Sequence, residues 1–121
     1  MGIYVSVRGW LECDKQQLAH VKEIISMHDD AFYSGGWGFP TRPFNWTSFV
    51  FYGGEIRDSE VDGLLDQPRE IARIPASDED HDEVRGFFVA SHDTEGSSEW
   101  RVQDATVSIS PVGDRYRYFT D

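Results

Sequence analysis

The chain has 121 residues, of which 39% are hydrophobic and 14% aromatic, so its composition predicts one folded domain, residues 1–121, and argues against intrinsic disorder. It has no run of 18 apolar residues and only one cysteine, which argues against a membrane-spanning helix and excludes an intramolecular disulfide and a cysteine-based zinc site. Its 22 acidic residues against 11 lysines and arginines give a net charge of −11, which argues against binding of nucleic acid and favours a basic protein partner.

The first segment, residues 3–13, alternates apolar and polar side chains with a period of two. This pattern predicts a strand with one buried face and places Trp10 on the opposite face. Gly9 interrupts the apolar row, which indicates a bulge or a point of close packing. The segment has no basic region followed by a continuous apolar stretch, so we expect no signal peptide and a cytoplasmic location.

A helix is predicted next, over residues 15–28. Asp14 and Gln17 have the spacing of a capping box, and aliphatic side chains recur at helical spacing behind them. The stretch 29–45 contains three glycines and two prolines, so most of it is predicted to be irregular. Residues 46–52 are apolar on both faces, which predicts a central strand that ends at the glycine pair following it.

A second helix is predicted after Ser59, which can serve as its N-cap. Pro68 removes a helical hydrogen bond and is expected to kink or split this helix. Strands joined by tight turns follow, with Trp100 predicted to be buried, and Arg115 to Phe119 form an edge strand or a docked tail. These strands are residues 84–92, 98–103 and 105–110. The order of elements predicts an α+β domain with a mainly antiparallel sheet of about five strands and two helices on one face.

The densest charge lies in residues 78–83, with five acids in six positions. Its carboxylates are candidate partner-binding groups, because long-range attraction accelerates encounter with a basic protein. The run lacks the glycine and glutamate positions of a calcium loop, so no metal site is predicted. A solvated loop whose charge only aids solubility is the alternative. The candidate residues are Asp78, Glu79, Asp80, Asp82 and Glu83.

Aromatic residues crowd the glycine-rich stretch before the second strand. Trp37 and Phe39 are candidate partner-binding anchors if they are exposed, and core residues if they pack inward. The sequence has no nucleophile elbow, HExxH or paired CxxC motif. Cys13 falls on the apolar face of a strand, which is typical of a core residue. We therefore expect no catalytic residue, no cofactor and no enzyme activity.

Two patches of sequence resemble a known family. The run Val7 to Glu12 on the first predicted strand, followed directly by a helix, and the late strand Glu99 to Val102, leading to Pro111, are similar to the Immunity protein 7 group of bacterial polymorphic-toxin immunity proteins. The resemblance implies an α+β fold and an acidic cytoplasmic protein that binds a cognate bacterial toxin, such as a nuclease, and occludes its active site. It implies no catalytic residues, because such proteins inhibit by binding.

Two other functions stay open at the level of sequence. The chain could be a small-ligand-binding or enzymatic domain with a pocket at the glycine-rich aromatic loop, or a stand-alone interaction protein. The oligomeric state stays open as well.

Overall fold

The computed structural model describes residues 2–28, 34–40, 47–76, 82–116 and 118. Within them, six antiparallel strands form one sheet and two helices share its core on one face. The α+β class is confirmed, with six strands rather than about five. In chain order the elements are β1 (Tyr4–Cys13), α1 (Lys15–Met27), β2 (Trp37–Gly38), β3 (Ser48–Arg57), α2 (Val61–Ala72), β4 (Arg85–His92), β5 (Gly96–Gln103) and β6 (Thr106–Gly113).

The strands lie in the order β2-β3-β1-β4-β5-β6. β1 is antiparallel to β3 on one side and to β4 on the other, so the connection through α2 carries the chain across β1. β4, β5 and β6 then form the expected meander. The additional strand is β2, which has only two residues and lies in the stretch expected to be irregular.

Alternation along β1 gives the sheet two different faces. Val7 and Leu11 are buried against the helices, whereas Trp10 lies on the opposite face, as predicted. Trp100 of β5 is also buried, as predicted from its phase. We call the face turned away from the helices the open face.

The capping box at the start of α1 is confirmed. The carboxylate of Asp14 accepts a hydrogen bond from the backbone N–H of Gln17 at 2.8 Å, and the Gln17 side chain accepts one from the backbone N–H of Asp14 at 2.9 Å. Gln17 is itself buried, and its side-chain amide donates to the carbonyl oxygen of Asp82 at 2.9 Å. This glutamine therefore fixes the start of α1 and the segment that leads into β4.

α2 differs from its prediction in two respects. It runs without a break through Pro68, and its N-cap is Glu60, which makes no side-chain capping bond. Ser59 lies inside a short 3₁₀ turn before the helix. The proline removes one backbone hydrogen bond, but its ring is buried together with Leu64 and Ile71, and this apolar burial offsets the loss.

β3 is longer and more exposed than predicted. It continues through Gly53 and Gly54 to Arg57, because β1 pairs with it over its whole length. Phe49 and Phe51 project onto the open face and are exposed, so the strand is buried on one face only. On its outer side, within the described part of the chain, it pairs with the short β2 alone.

Two described tyrosines beyond β6, Tyr116 and Tyr118, lie on the open face, and we call them the tail. After β6, the ring of Tyr116 packs edge-on against the ring of Phe87, with 6.2 Å between the centroids. Tyr118 and Tyr116 both line a groove on the open face. The tail therefore covers part of the sheet face that the helices leave uncovered.

Gly9 is a point of close packing rather than a bulge, since β1 keeps a continuous register there. A methyl group at this position would lie 2.6 Å from the Cα atom of Phe88 and would also overlap the Phe87 carbonyl oxygen. We expect Gly9→Ala to lower the free energy of unfolding by about 1–3 kcal/mol, because two paired backbones would have to separate. Urea unfolding measures this loss.

Gly63 on the exposed side of α2 is the matched control. A methyl group there meets nothing within 4 Å, so Gly63→Ala should raise stability by about 0.5–1 kcal/mol through helix propensity. Equal stability of the Gly9→Ala variant and the parent would contradict the close approach of β1 and β4.

Candidate functional site

An exposed row of aromatic side chains crosses the open face. Phe51, Trp10 and Phe87 stand opposite one another on β3, β1 and β4, and we call them the aromatic row. Trp10 is 37% and Phe51 48% exposed. The outer face of an antiparallel sheet is normally polar, and a contiguous aromatic surface there is typical of a binding site. Aromatic residues are also the side chains enriched at protein interfaces.

The row is held in place at its centre, at Trp10, and at its Phe51 end. The indole N–H of Trp10 donates to the Glu12 carboxylate at 3.1 Å, and the Trp10 and Phe87 ring centroids are 5.7 Å apart. At the Phe51 end, the Phe49 ring stacks on Phe51. Between the row and the tail lies an apolar groove of ≈440 Å³, which Tyr116 also lines. The rings are therefore pre-positioned, which lowers the entropic cost of binding.

A buried carboxylate lies beside this groove. The Glu99 side chain is only 5% exposed, and its Oε1 atom accepts from Nη2 of Arg101 at 3.0 Å and lies 3.7 Å from Nη1 of Arg115. The two arginine side chains are 57% and 61% exposed. Two guanidinium groups thus share one carboxylate, which leaves an excess of positive charge on this part of the open face.

An acidic cleft of ≈470 Å³ lies where β1 ends and β4 begins. Of the residues that the structure describes, five with carboxylates and one cation, Arg85, line it. Among the described residues no three His, Cys, Asp or Glu side chains come together as metal ligands. Such spread-out negative charge suits a guanidinium or ammonium group of another protein. The carboxylates are Glu12, Asp14, Asp82, Glu83 and Asp104.

The acidic run predicted from sequence contributes to this cleft. Asp82 and Glu83 are exposed and line it. Asp78, Glu79 and Asp80 lie outside the described residues. The other three carboxylates of the cleft come from distant parts of the sequence and were not selected from it.

The two predicted aromatic anchors are not on the open face. Trp37 is 8% exposed, and its indole N–H donates to the side-chain oxygen of buried Gln67 at 2.9 Å. Phe39 packs against the core with the Lys22 ammonium 5.4 Å from its ring centre. Inward packing, one of the two alternatives that the sequence left open, therefore holds for Trp37, which is a core residue and not an exposed anchor. A partner contact of half-buried Phe39 stays a prediction.

The sequence contained the signal for the exposed aromatic side chains of the open face, but this signal was interpreted otherwise. Trp10 was placed on the outer face but was not selected as a site residue. Phe49 and Phe51 were the reason for describing their segment as apolar on both faces, and this was interpreted as burial. Their exposure depends on what covers the second face, which a single strand does not reveal.

Cys13 is a core residue. It is buried at the end of β1, and burial, together with the neighbouring Asp14 carboxylate, raises the pKa of its thiol to about 11. The thiol is therefore protonated at neutral pH and is not an activated nucleophile.

Two of the histidines make structural contacts. Nδ1 of His92 accepts backbone hydrogen bonds from Thr94 and Glu95 at 3.1 and 3.0 Å, which fixes the turn between β4 and β5. Nε2 of His28 lies 2.9 Å from the Glu70 carboxylate and joins α1 to α2.

No family model, curated protein or solved structure matches the chain. In the part of the chain that the structure describes, no helix has the length and apolar character needed to cross a membrane.

The buried hydrogen bond of Trp37 gives a test of its core role. Trp37→Phe leaves the Gln67 side-chain oxygen without its donor, so we expect a loss of about 1–3 kcal/mol in the free energy of unfolding. Trp37→Phe combined with Gln67→Leu removes both polar groups and should recover part of this loss. If the double variant loses more free energy of unfolding than the two single variants lose together, the pairing is contradicted.

Proposed function

We propose that this chain is a cytoplasmic immunity-type protein, not an enzyme, that binds a cognate bacterial toxin and covers its active site. The observation that carries the proposal is the adjacency of the acidic cleft and the aromatic row. Glu12 links them, since it lines the cleft and accepts the hydrogen bond from Trp10. Charged groups that attract a partner and rigid rings that hold it thus lie side by side.

A nuclease is the toxin class that this charge fits best. An enzyme that cuts nucleic acid needs a basic groove for the phosphates, and the net charge of −11 attracts such a groove over a distance. Long-range attraction accelerates encounter, whereas desolvated aromatic anchors slow dissociation. The same net charge disfavours direct binding of nucleic acid by this chain.

The other candidate functions have less support. Neither Trp37 nor Phe39 lines the acidic cleft or the apolar groove, so a ligand pocket at the glycine-rich loop gains nothing from these cavities. A stand-alone interaction protein would use the same open face, and only the toxicity of its partner separates the two proposals.

The decisive experiment tests toxicity and its relief. The tagged chain is used to capture partners from its native cells, and each protein identified by mass spectrometry is expressed in a bacterial host. We expect one captured protein to arrest growth alone and growth to recover when the chain is co-expressed. If every captured protein is harmless, or if the chain fails to relieve the arrest, the immunity function is wrong.

Charge steering has its own test. Replacing Asp82 and Glu83 by Asn and Gln should slow association with the captured toxin several-fold at low salt and change dissociation little. Physiological salt should reduce the difference, because the Debye length is then about 8 Å. Association rates at two ionic strengths measure this.

The matched control changes the same number of charges elsewhere. Asp62 and Asp66 are exposed on α2, and both are replaced by Asn. If this variant slows association as much as the cleft variant, overall charge and not the cleft attracts the partner. A variant that also neutralises Asp78, Glu79 and Asp80 tests the whole acidic run.

A further inference from the structure

The open face contains a second groove, of ≈460 Å³, which we call the arginine groove. It lies on the other side of Phe87 and Tyr116 from the apolar groove, and Trp10 lines both. Its charged residues are Arg85, Arg101, Arg115, Glu12 and Glu99.

This groove is locally cationic in a strongly acidic chain. Three arginines face two glutamates, of which Glu99 is buried and already paired. All its cations are arginines, and the two lysines of the chain both lie in α1. A guanidinium binds a carboxylate with two parallel hydrogen bonds and stacks on aromatic rings, which a lysine ammonium does not.

The buried carboxylate acts as a positioning residue. Glu99 holds Arg101 at 3.0 Å and Arg115 at 3.7 Å through the same oxygen atom. Each guanidinium has five N–H donors, and more than half of each side chain is exposed. The pair is therefore oriented by Glu99 while donors remain for an additional acceptor.

We propose that the arginine groove binds a carboxylate side chain of the partner protein, while an apolar side chain next to it enters the apolar groove. This rests on the proposed function and names the docking surface for the same partner. The acidic cleft shares Glu12 and Arg85 with the arginine groove. The partner thus meets a negative and a positive patch side by side, which fixes its orientation as well as its affinity.

Charge favours this occupant over a second copy of the chain. Two copies each carry a net charge of −11, so long-range repulsion opposes the approach of a second copy.

The first test uses the full chain and a defined probe. The isotope-labelled protein is titrated with acetyl-Glu-Phe-Glu-amide and with its uncharged analogue acetyl-Gln-Phe-Gln-amide, and nuclear magnetic resonance follows side-chain N–H signals. We expect the acidic peptide to shift the signals of Arg101, Arg115 and Trp10 with millimolar affinity, and the uncharged peptide to leave the arginine signals unchanged. Equal signal shifts with both peptides would overturn the proposal. Signal shifts that change with the concentration of the protein but not with that of the peptide would also overturn it.

The second test uses the captured toxin. The variant Glu99→Gln/Arg101→Gln/Arg115→Gln removes the whole charge group without leaving a buried carboxylate unpaired, and we expect it to dissociate at least tenfold faster. Arg101→Lys/Arg115→Lys keeps the charge but loses the two-pronged geometry, and should also dissociate faster. Arg69→Gln/Arg73→Gln, in the last turn of α2 and at its C-cap, is the control and should dissociate like the parent.

The two proposals fail in different ways. A toxin that the parent neutralises, and that leaves the triple variant at the parent rate, would overturn the arginine groove and leave the immunity function intact. A specific response to the acidic peptide without any toxin among the captured proteins would support the groove and overturn the immunity function.

Discussion

The rest of the structure depends on the pairing of β1 on both sides. Its hydrogen bonds to β3 and β4 fix the register of three strands, and its period of two decides which side chains meet the helices. A shift by one residue would bury Trp10 and expose Leu11. Gly9 permits the close approach to Phe88 that the register requires. Core and open face are therefore set by the same constraint.

The sequence predicted correctly those features that depend on interactions between neighbouring residues. The alternation of β1 and the capping box at Asp14 follow from neighbouring residues, and the structure confirms both. The unbroken α2 was missed because burial of Pro68 against the core offsets a local cost. The site was only partly predictable: Asp82 stands out by charge density, but the aromatic row exists only once three strands are in register. For Trp37 the sequence left a core position and an exposed position open, and the structure decides between them: the ring is buried, and its indole N–H donates to Gln67.

The net charge bears on how this protein would attract its proposed partner over a distance, but it does not describe the surface that would contact that partner. The value of −11 sums over the whole chain, whereas the open face concentrates arginines and aromatic rings. Long-range attraction depends on the total, because it acts before the surfaces touch. In the proposed complex, the bound orientation would depend on the local pattern, in which the acidic cleft and the arginine groove are neighbours. The isoelectric point, which reflects the whole chain, therefore does not reveal the arginine groove.

The burial of Glu99 supports the proposed role of this surface in binding rather than in stability. Moving a carboxylate out of water is costly, and its pairs with Arg101 and Arg115 compensate for that cost at best. Val89, its cross-strand neighbour on the open face, shows that an apolar side chain is accommodated there. Folding alone would thus be served as well by an aliphatic residue at position 99. An aliphatic residue, however, could not hold the guanidinium groups of Arg101 and Arg115 beside Trp10 and Phe87. We infer that this is why a buried acid is present at this position.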